Sequence, residues 1–387
     1  MAAPCIAVES RSSAVGEGAP TGGRGDRESG RVATGDGGAA AARRSSLDVV
    51  VTVQHPAHVH FFRHAIRTLE REGHSVHVFA RDKAVAVALL DAFDIDHEVL
   101  AGPAGASLAG LARTQATYEA RLLRRAVAIR PDVVAGIGGV AAAHVANLVG
   151  ARGVVFTDTE HAALVNRLAF PFADRVVTPE CFDGDAGDKQ VRYPGYHELA
   201  YLHPDRFDPD PSVPRSVGLD PDERYVVLRA ISWDASHDVG AGGFEDVTDV
   251  VERLEATGAR VLVTAEGDVP AGLDDRTASV EPHRIHDLLA FADLFVGEGA
   301  TMAAESAVLG TPAVYVNSLR MGYTDELEAR YGLLFNCQGA FRHERALRVA
   351  TTALTADVDW TARRDRLLAD KADTTDAILT VLCDAPR

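Results

Sequence analysis

Leu47-Asp-Val-Val-Val-Thr-Val53, the loop Gln54-His-Pro-Ala-His58, a segment through Arg71 carrying Phe61, Phe62, Ile66 and Leu69, then Gly73 and Ser75-Val-His-Val-Phe79 decide the fold. The β-branched run reads as a strand buried on both faces. The segment after it reads as a helix with an apolar side, and Gly73 supplies the residue that commonly ends one. Strand, helix, strand in close succession is a βαβ unit, and such units join by right-handed crossovers into parallel sheets.

The alternation continues outward from this unit. Ala84–Phe93 reads as helix, His97–Leu100 as strand, Leu108–Arg130 as a long helix and Asp132–Ala135 as strand. A Gly-rich turn, a helix over Ala141–Val149 and strands Gly153–Phe156 and Arg175–Thr178 follow. Tyr193–Glu198 and the Asp/Pro-rich Pro204–Pro214 carry little periodicity and read as a linker. The pattern then restarts with strands Tyr225–Leu228, Arg260–Thr264, Leu294–Val296 and Ala313–Val316. Helices are expected at Phe244–Thr257, Ile285–Phe291 and Met302–Leu309, with a last helical region over Thr361–Cys383. The predicted architecture is α/β, two doubly wound Rossmann-like domains facing a cleft at the carboxyl ends of their strands. Its divisions are a disordered tail at 1–46, a first domain at 47–195, a linker at 196–214 and a second domain at 215–387 that includes the terminal helix. The tail is rich in Gly, Ala, Ser and Arg, which bury too little apolar surface to offset the entropy of ordering.

A chain of 387 residues exceeds what one core usually serves. Acidic residues outnumber basic ones 56 to 39, for a formal net charge of -17, and the only lysines are Lys83, Lys189 and Lys371. This balance disfavours nucleic acid and anionic lipid as partners. It suits a proteome adapted to high salt, where screening weakens repulsion among carboxylates; a GC-rich genome would also favour Arg, Ala, Gly and Asp. Cys5, Cys181, Cys337 and Cys383 show no metal-ligand spacing and read as reduced thiols. No apolar run reaches about 18 residues, so stable membrane insertion is not expected. The N-terminus lacks a charged start followed by an apolar stretch, so a secretory signal is not expected either, and a cytoplasmic location is.

The segment richest in chemistry is Ala292-Asp-Leu-Phe-Val-Gly-Glu-Gly-Ala-Thr-Met-Ala-Ala-Glu-Ser-Ala-Val-Leu-Gly-Thr-Pro312. A strand ends at Val296 and a helix opens near Thr301. Free N–H groups at the start of a helix, with the positive end of its dipole, suit a diphosphate held by Gly297, Gly299, Ala300 and Thr301. Glu305, one turn on, sits where a carboxylate accepts hydrogen bonds from ribose hydroxyls. The same spacing also fits a plain βα turn with a Thr cap and a solvated Glu.

That segment resembles the nucleotide-sugar motif of GT-B enzymes, including the lipid II glycosyltransferase and the non-hydrolysing UDP-N-acetylglucosamine 2-epimerases. In those families the Gly-rich turn holds the diphosphate and a helix Glu binds the ribose, which the resemblance assigns here to Glu305. From Leu47 onward the chain also resembles an uncharacterised, largely archaeal family of GT-B-like proteins. The shared marks are His-Pro-Ala-His-Val-His-Phe-Phe at 55–62, Arg-Glu-Gly-His-Ser-Val at 71–76 and Phe-Thr-Asp-Thr-Glu-His-Ala at 156–162, with Leu-Arg-Ala-Ile-Ser-Trp at 228–233 and the Gly-Glu-Gly-Ala-Thr-Met turn at 297–302. The resemblance implies a GT-B fold and leaves the reaction open.

Further candidates stand at the carboxyl ends of other predicted strands. His58 occupies the first βα turn, where a histidine can act as general base on an acceptor hydroxyl, or simply pack at a helix start. Its His-Val step matches the Gly-Gly-His-Val turn of the lipid II glycosyltransferase, but Pro56 and Ala57 replace the glycines. Asp158, Glu160 and His161 crowd three ionisable groups into four positions, which perturbs their titration and offers a base or an acceptor contact. Alternatively Asp158 or Thr159 caps the next helix while the other two stay solvated. Arg229 and Ser232 are candidates for phosphate contact by analogy with GT-B enzymes, with Trp233 as a core residue or loop anchor. His60 and His64 share a helix face without a third metal ligand, so no metal is expected. Gly136-Ile-Gly-Gly139 falls short of a dinucleotide fingerprint, so NAD chemistry is not expected, and no cofactor beyond the nucleotide-sugar substrate is called for.

Three readings result. The first is glycosyl transfer from a nucleoside-diphosphate sugar to an acceptor that is either lipid-linked or a small molecule. The second is a nucleotide-sugar 2-epimerase, which needs a compact pair of carboxylates and no acceptor. The third is a protein that binds the sugar nucleotide without catalysis.

Overall fold

In the computed structural model, which describes residues 46–103, 107–230, 247–265 and 272–384, the β-branched run becomes the centre of a sheet. This sheet contains β1 (Asp48–Val53), β2 (Ser75–Arg81), β3 (His97–Ala101), β4 (Val133–Ile137), β5 (Arg152–Phe156), β6 (Arg175–Pro179) and β7 (Gln190–Tyr193). Its order is β3-β2-β1-β4-β5-β6-β7, with every neighbouring pair parallel. Val49, Val50, Val51 and Val53 are fully buried, as a strand covered on both faces requires.

The second sheet contains β8 (Tyr225–Ala230), β9 (Arg260–Ala265), β10 (Leu294–Gly297), β11 (Ala313–Val316) and β12 (Leu334–Cys337). It is also parallel, in the order β12-β11-β10-β8-β9. In each sheet the chain builds outward from its first strand and then returns to that strand's other side. Strand order therefore reverses between β1 and β4 in one sheet and between β8 and β10 in the other. In open α/β sheets the loops leaving such strands splay apart, and ligands commonly bind there.

Two strands escaped the sequence reading, β7 and β12. Both are four-residue edge strands. With only one neighbour each, they tolerate Gln190, Arg192 and Asn336, which dilute the apolar signal. The helix Arg342–Thr355 also went unread; its buried stripe is only Ala346, Ala350 and Leu354. The expected terminal helix is broken into Trp360–Asp370 and Thr374–Cys383, with Asp373 capping the second through the Thr375 N–H.

The stretch between the sheets is not loosely packed. It forms helices Leu199–Leu202 and Ser212–Ser216, and Tyr196, Leu199, Ala200, Tyr201 and Leu202 are buried. These residues belong to the apolar cluster that also holds Val49 of β1 and Phe295 of β10. Each buried leucine here contributes about 1.5–3 kcal/mol of burial, so this segment ties the two sheets to one core. The last helix, Thr374–Cys383, packs against helix Pro56–Arg71 beside the first sheet. Arg152, at the start of β5, donates to the carbonyls of Val381, Leu382 and Asp384 at 3.0, 2.7 and 2.6 Å, satisfying the acceptors that a helix end leaves open. Among the described residues no helix is long and apolar enough to cross a membrane.

Candidate functional site

At the second switch point β10 ends at Gly297 and helix Ala300–Leu309 begins. Gly297 is dictated by packing: a Cβ there would lie 2.6 Å from the Phe295 ring and 3.0 Å from the carbonyl of Arg229 on β8. Gly299 is the N-cap residue, with φ −91° and ψ 117°, and no side chain caps the helix. Gly299, Ala300 and Thr301 are half-exposed, as is Arg229 at the end of β8. The first-turn N–H groups, together with the dipole, are thus available to an anion. Glu298 is buried within the same turn, and its carbonyl accepts from Asn317 Nδ2 at 3.0 Å. Ser232 and Trp233 lie outside the described residues.

Glu305 lies one turn into that helix, facing inward. It is only 5% exposed, and its Oε1 accepts from Tyr201 Oη at 2.7 Å and pairs with His286 Nε2 at 2.9 Å. Around this pair is a layer of rings. His60 meets His286 edge-on at 4.7 Å and stacks on Tyr201 at 5.2 Å, while the Arg63 guanidinium lies 4.5 Å over Phe93. Burial, reinforced by the positive charges of His286 and Arg63, holds the His60 imidazole well below its ordinary value, and His60 Nδ1 makes no hydrogen bond. Burial likewise lowers Arg63 to about 10. Any ribose contact made by Glu305 therefore falls to the oxygen not engaged by Tyr201 and His286.

At the first switch point, Gln54 N donates to His58 Nδ1 at 3.4 Å. Burial, then the positive charges of His55, His197 and Lys83, push the His58 imidazole down to about 3. That makes it a weak proton acceptor near neutrality. Facing it across the switch, Gly138 and Gly139 adopt φ 63° and 34°, and helix Val140–Val149 starts without a side-chain cap.

Asp158, just beyond β5, pairs through Oδ2 with His197 Nδ1 at 3.1 Å and accepts the Thr159 hydroxyl on Oδ1 at 2.8 Å. Burial raises its carboxyl, but the charge and hydrogen bond of His197 outweigh this, so the net displacement is downward. Neighbouring Glu198 is moved the opposite way: burial, then the charge of Asp158, hold it well above the usual carboxylate range, and its Oε2 has no partner. His197 and Glu198 follow β7 and are 8% and 2% exposed. Sequence reasoning missed both because they lie in the stretch read as a linker; the available signal was an ionisable His-Glu pair one residue after Pro194-Gly195.

Neither Asp158 nor Thr159 caps the following helix, Ala163–Ala169. Glu160 is instead a bridge. Its Oε1 accepts the N–H groups of Asp183 at 3.1 Å and Gly322 at 3.0 Å, joining the first sheet's loops to the helix after β11. His161 is exposed and stands apart from the Asp158 cluster. His60 and His64 do not converge: His64 Nε2 accepts from Arg63 Nε, whereas His60 faces His286. Among the described residues, Glu72, His74 and Cys383 alone bring three ligand atoms within 4.8 Å of one another.

The architecture recurs in solved structures. The UDP-GlcNAc 2-epimerase from Methanocaldococcus jannaschii matches with a TM-score of 0.62 at 12% identity, covering 88% of this chain and 100% of that one. The UDP-GlcNAc 2-epimerase from Neisseria meningitidis, solved with UDP-GlcNAc bound, gives 0.59 at 11% identity, over 87% and 99%. A spinosyn forosaminyltransferase gives 0.60 at 15% identity, over 88% and 100%. At these identities the likeness is one of fold, and that fold is GT-B. In sequence, an uncharacterized protein of Methanocaldococcus jannaschii is 23% identical over 282 residues, 70% of this chain and 81% of the relative. The family described as "Protein of unknown function (DUF354)" matches residues 47–385, and the chain belongs to it.

Proposed function

We propose that the chain binds a nucleoside-diphosphate sugar at the turn after β10 and transfers the sugar to an acceptor held near the first sheet's switch point. One observation carries the reading. The uncapped, half-exposed start of helix Ala300–Leu309 stands at the topological switch of its sheet, beside Arg229, where an anion finds N–H donors and a positive dipole end. Similarity in fold to two UDP-GlcNAc 2-epimerases, one with UDP-GlcNAc bound, and to a forosaminyltransferase supports the choice of ligand class. In this reading Gly297, Gly299, Ala300 and Thr301 hold the diphosphate, with Arg229 and Ser232 alongside it and Glu305 toward the ribose. Calorimetric titration with UDP, GDP, dTDP, CDP and ADP tests it. Saturable one-to-one binding of at least one is expected, and binding of none refutes it.

A second reading, 2-epimerisation, is favoured by the adjoining Asp158 and Glu198, whose environments push their titrations apart as an acid–base pair requires. Deuterium from D2O entering the sugar of UDP-N-acetylglucosamine without an acceptor would select it. Release of UDP dependent on an added acceptor, without exchange, would select transfer.

A further inference from the structure

We infer that Asp158 and His197 form the proton-accepting dyad of this site, with His197 Nε2 as the atom that takes the proton from the attacking hydroxyl. The inference rests on the transfer reading and goes beyond it by replacing His58 with a residue from the far end of the same sheet.

The geometry points this way. Asp158 Oδ2 lies 3.1 Å from His197 Nδ1. A carboxylate held in its charged form can only accept, so the proton between them sits on Nδ1, and whenever the ring is neutral its lone pair is on Nε2. That nitrogen is shielded from solvent and makes no hydrogen bond among the described residues. A buried polar atom without a partner is uncommon and calls for an explanation; an unspent lone pair awaiting a hydroxyl supplies one. The ring is fixed by packing: Phe61 lies 4.5 Å away between centroids, and Tyr193 lies at 6.5 Å in a nearly parallel plane. Oriented carboxylate, fixed imidazole and unpartnered Nε2 match the division of labour in a hydrolase triad, where the acid holds the tautomer and stabilises the imidazolium.

The groups around the dyad are His58 at the start of the first helix, Tyr193 on β7, Glu198 beside His197, and Tyr323 from the helix after β11. Glu198 and Tyr323 are held in their neutral forms by burial and by the charge of Asp158, so no second anion competes for the imidazole's proton. His58, next to the same imidazole, is poorly basic, chiefly because burial disfavours its charged form.

In the step itself the acceptor's O–H bond breaks and its proton passes to Nε2. The oxygen's electron pair forms the new bond to the anomeric carbon as that carbon's bond to the diphosphate oxygen breaks. The nucleoside diphosphate leaves with that electron pair, and the imidazolium, stabilised by Asp158, later releases its proton to water.

The test uses the full chain labelled with nitrogen-15 in histidine, read by long-range proton–nitrogen correlation. His197, assigned from the signal lost in His197→Gln, should show a protonated Nδ1 and a bare Nε2 at neutral pH. Asp158→Asn should lower the pH midpoint of that ring by at least one unit. A ring protonated on Nε2 in the wild type, or doubly protonated up to pH 9, overturns the dyad. Titration with UDP, run in parallel, keeps the two ideas apart: loss of UDP binding in the wild type sinks the sugar-nucleotide reading whatever the tautomer is. Where a sugar nucleotide is turned over, His197→Gln should lower kcat at least 100-fold with the UDP Kd unchanged within twofold. Retention of wild-type kcat overturns the assignment.

Discussion

Replacing Glu305 with alanine should destabilise the fold more than it weakens any ligand. The carboxylate is 6% exposed as a side chain and serves two buried partners through one oxygen, Tyr201 Oη at 2.7 Å and His286 Nε2 at 2.9 Å. Removing it leaves a buried phenol and a buried imidazole without acceptors in a layer already holding His60 and Arg63. Breaking a buried pair from one side costs about 3–5 kcal/mol. Larger domains lose about 2–4 °C per kcal/mol, so a fall in Tm of about 10 °C is expected. Glu305→Gln keeps an acceptor for the Tyr201 hydroxyl and should lose less than half as much. Circular dichroism melting of the wild type and both variants at pH 7 is the assay. An alanine variant that melts with the wild type would refute the view of Glu305 as an internal strut.

The opposed displacements of Glu198 and His58 predict two pH dependences. A carboxyl raised on folding costs stability progressively as pH climbs above its unfolded value, about 4.5, so Glu198→Gln should gain on the wild type between pH 5 and 8 in urea denaturation; a constant difference would contradict this. A histidine lowered to about 3 does the reverse, its penalty growing as pH falls from 6.5 toward 3, so His58→Gln should flatten the acid limb, and an unchanged limb would argue against its burial. A Cβ at Gly322 would run into the carbonyl oxygen of Cys181, so Gly322→Ala should cost about 1–3 kcal/mol and displace the N–H that Glu160 accepts; a variant as stable as the wild type would show that this junction yields freely. With a formal charge of -17, the melting midpoint should rise between low and molar KCl as carboxylate repulsion is screened, and an unmoved midpoint would count against adaptation to high salt.

The central strands were legible because a strand covered on both faces must be apolar throughout, as Val49 to Val53 are. Gln190-Val-Arg-Tyr193 and Leu334-Phe-Asn-Cys337 were not, because an edge strand leaves room for polar groups. The same asymmetry governs the site. Asp158 and the Gly297–Thr301 turn announce themselves by following clear strands. His197 and Glu198 follow one of the hidden edge strands, so nothing in the local pattern placed them at a strand's carboxyl end. Glu305 illustrates a different limit. Helical spacing put it one turn beyond Thr301, but only the packing of Tyr201 and His286, residues 104 and 19 positions away, shows that it faces inward.

Nucleotide binding at the turn after β10 is the claim on which the functional account depends. The backbone of Gly299, at φ −91° and ψ 117°, is in a region that any residue adopts, so Gly299→Val tests the ligand site without forcing a disfavoured backbone conformation. The decisive measurement is calorimetric titration of the wild type and this variant with the nucleoside diphosphate that binds best. The account predicts one site per chain in the wild type, and at least tenfold weaker binding in a variant with an unchanged melting midpoint. Equal affinity in the two proteins, or no binding to the wild type by any nucleoside diphosphate, would contradict it.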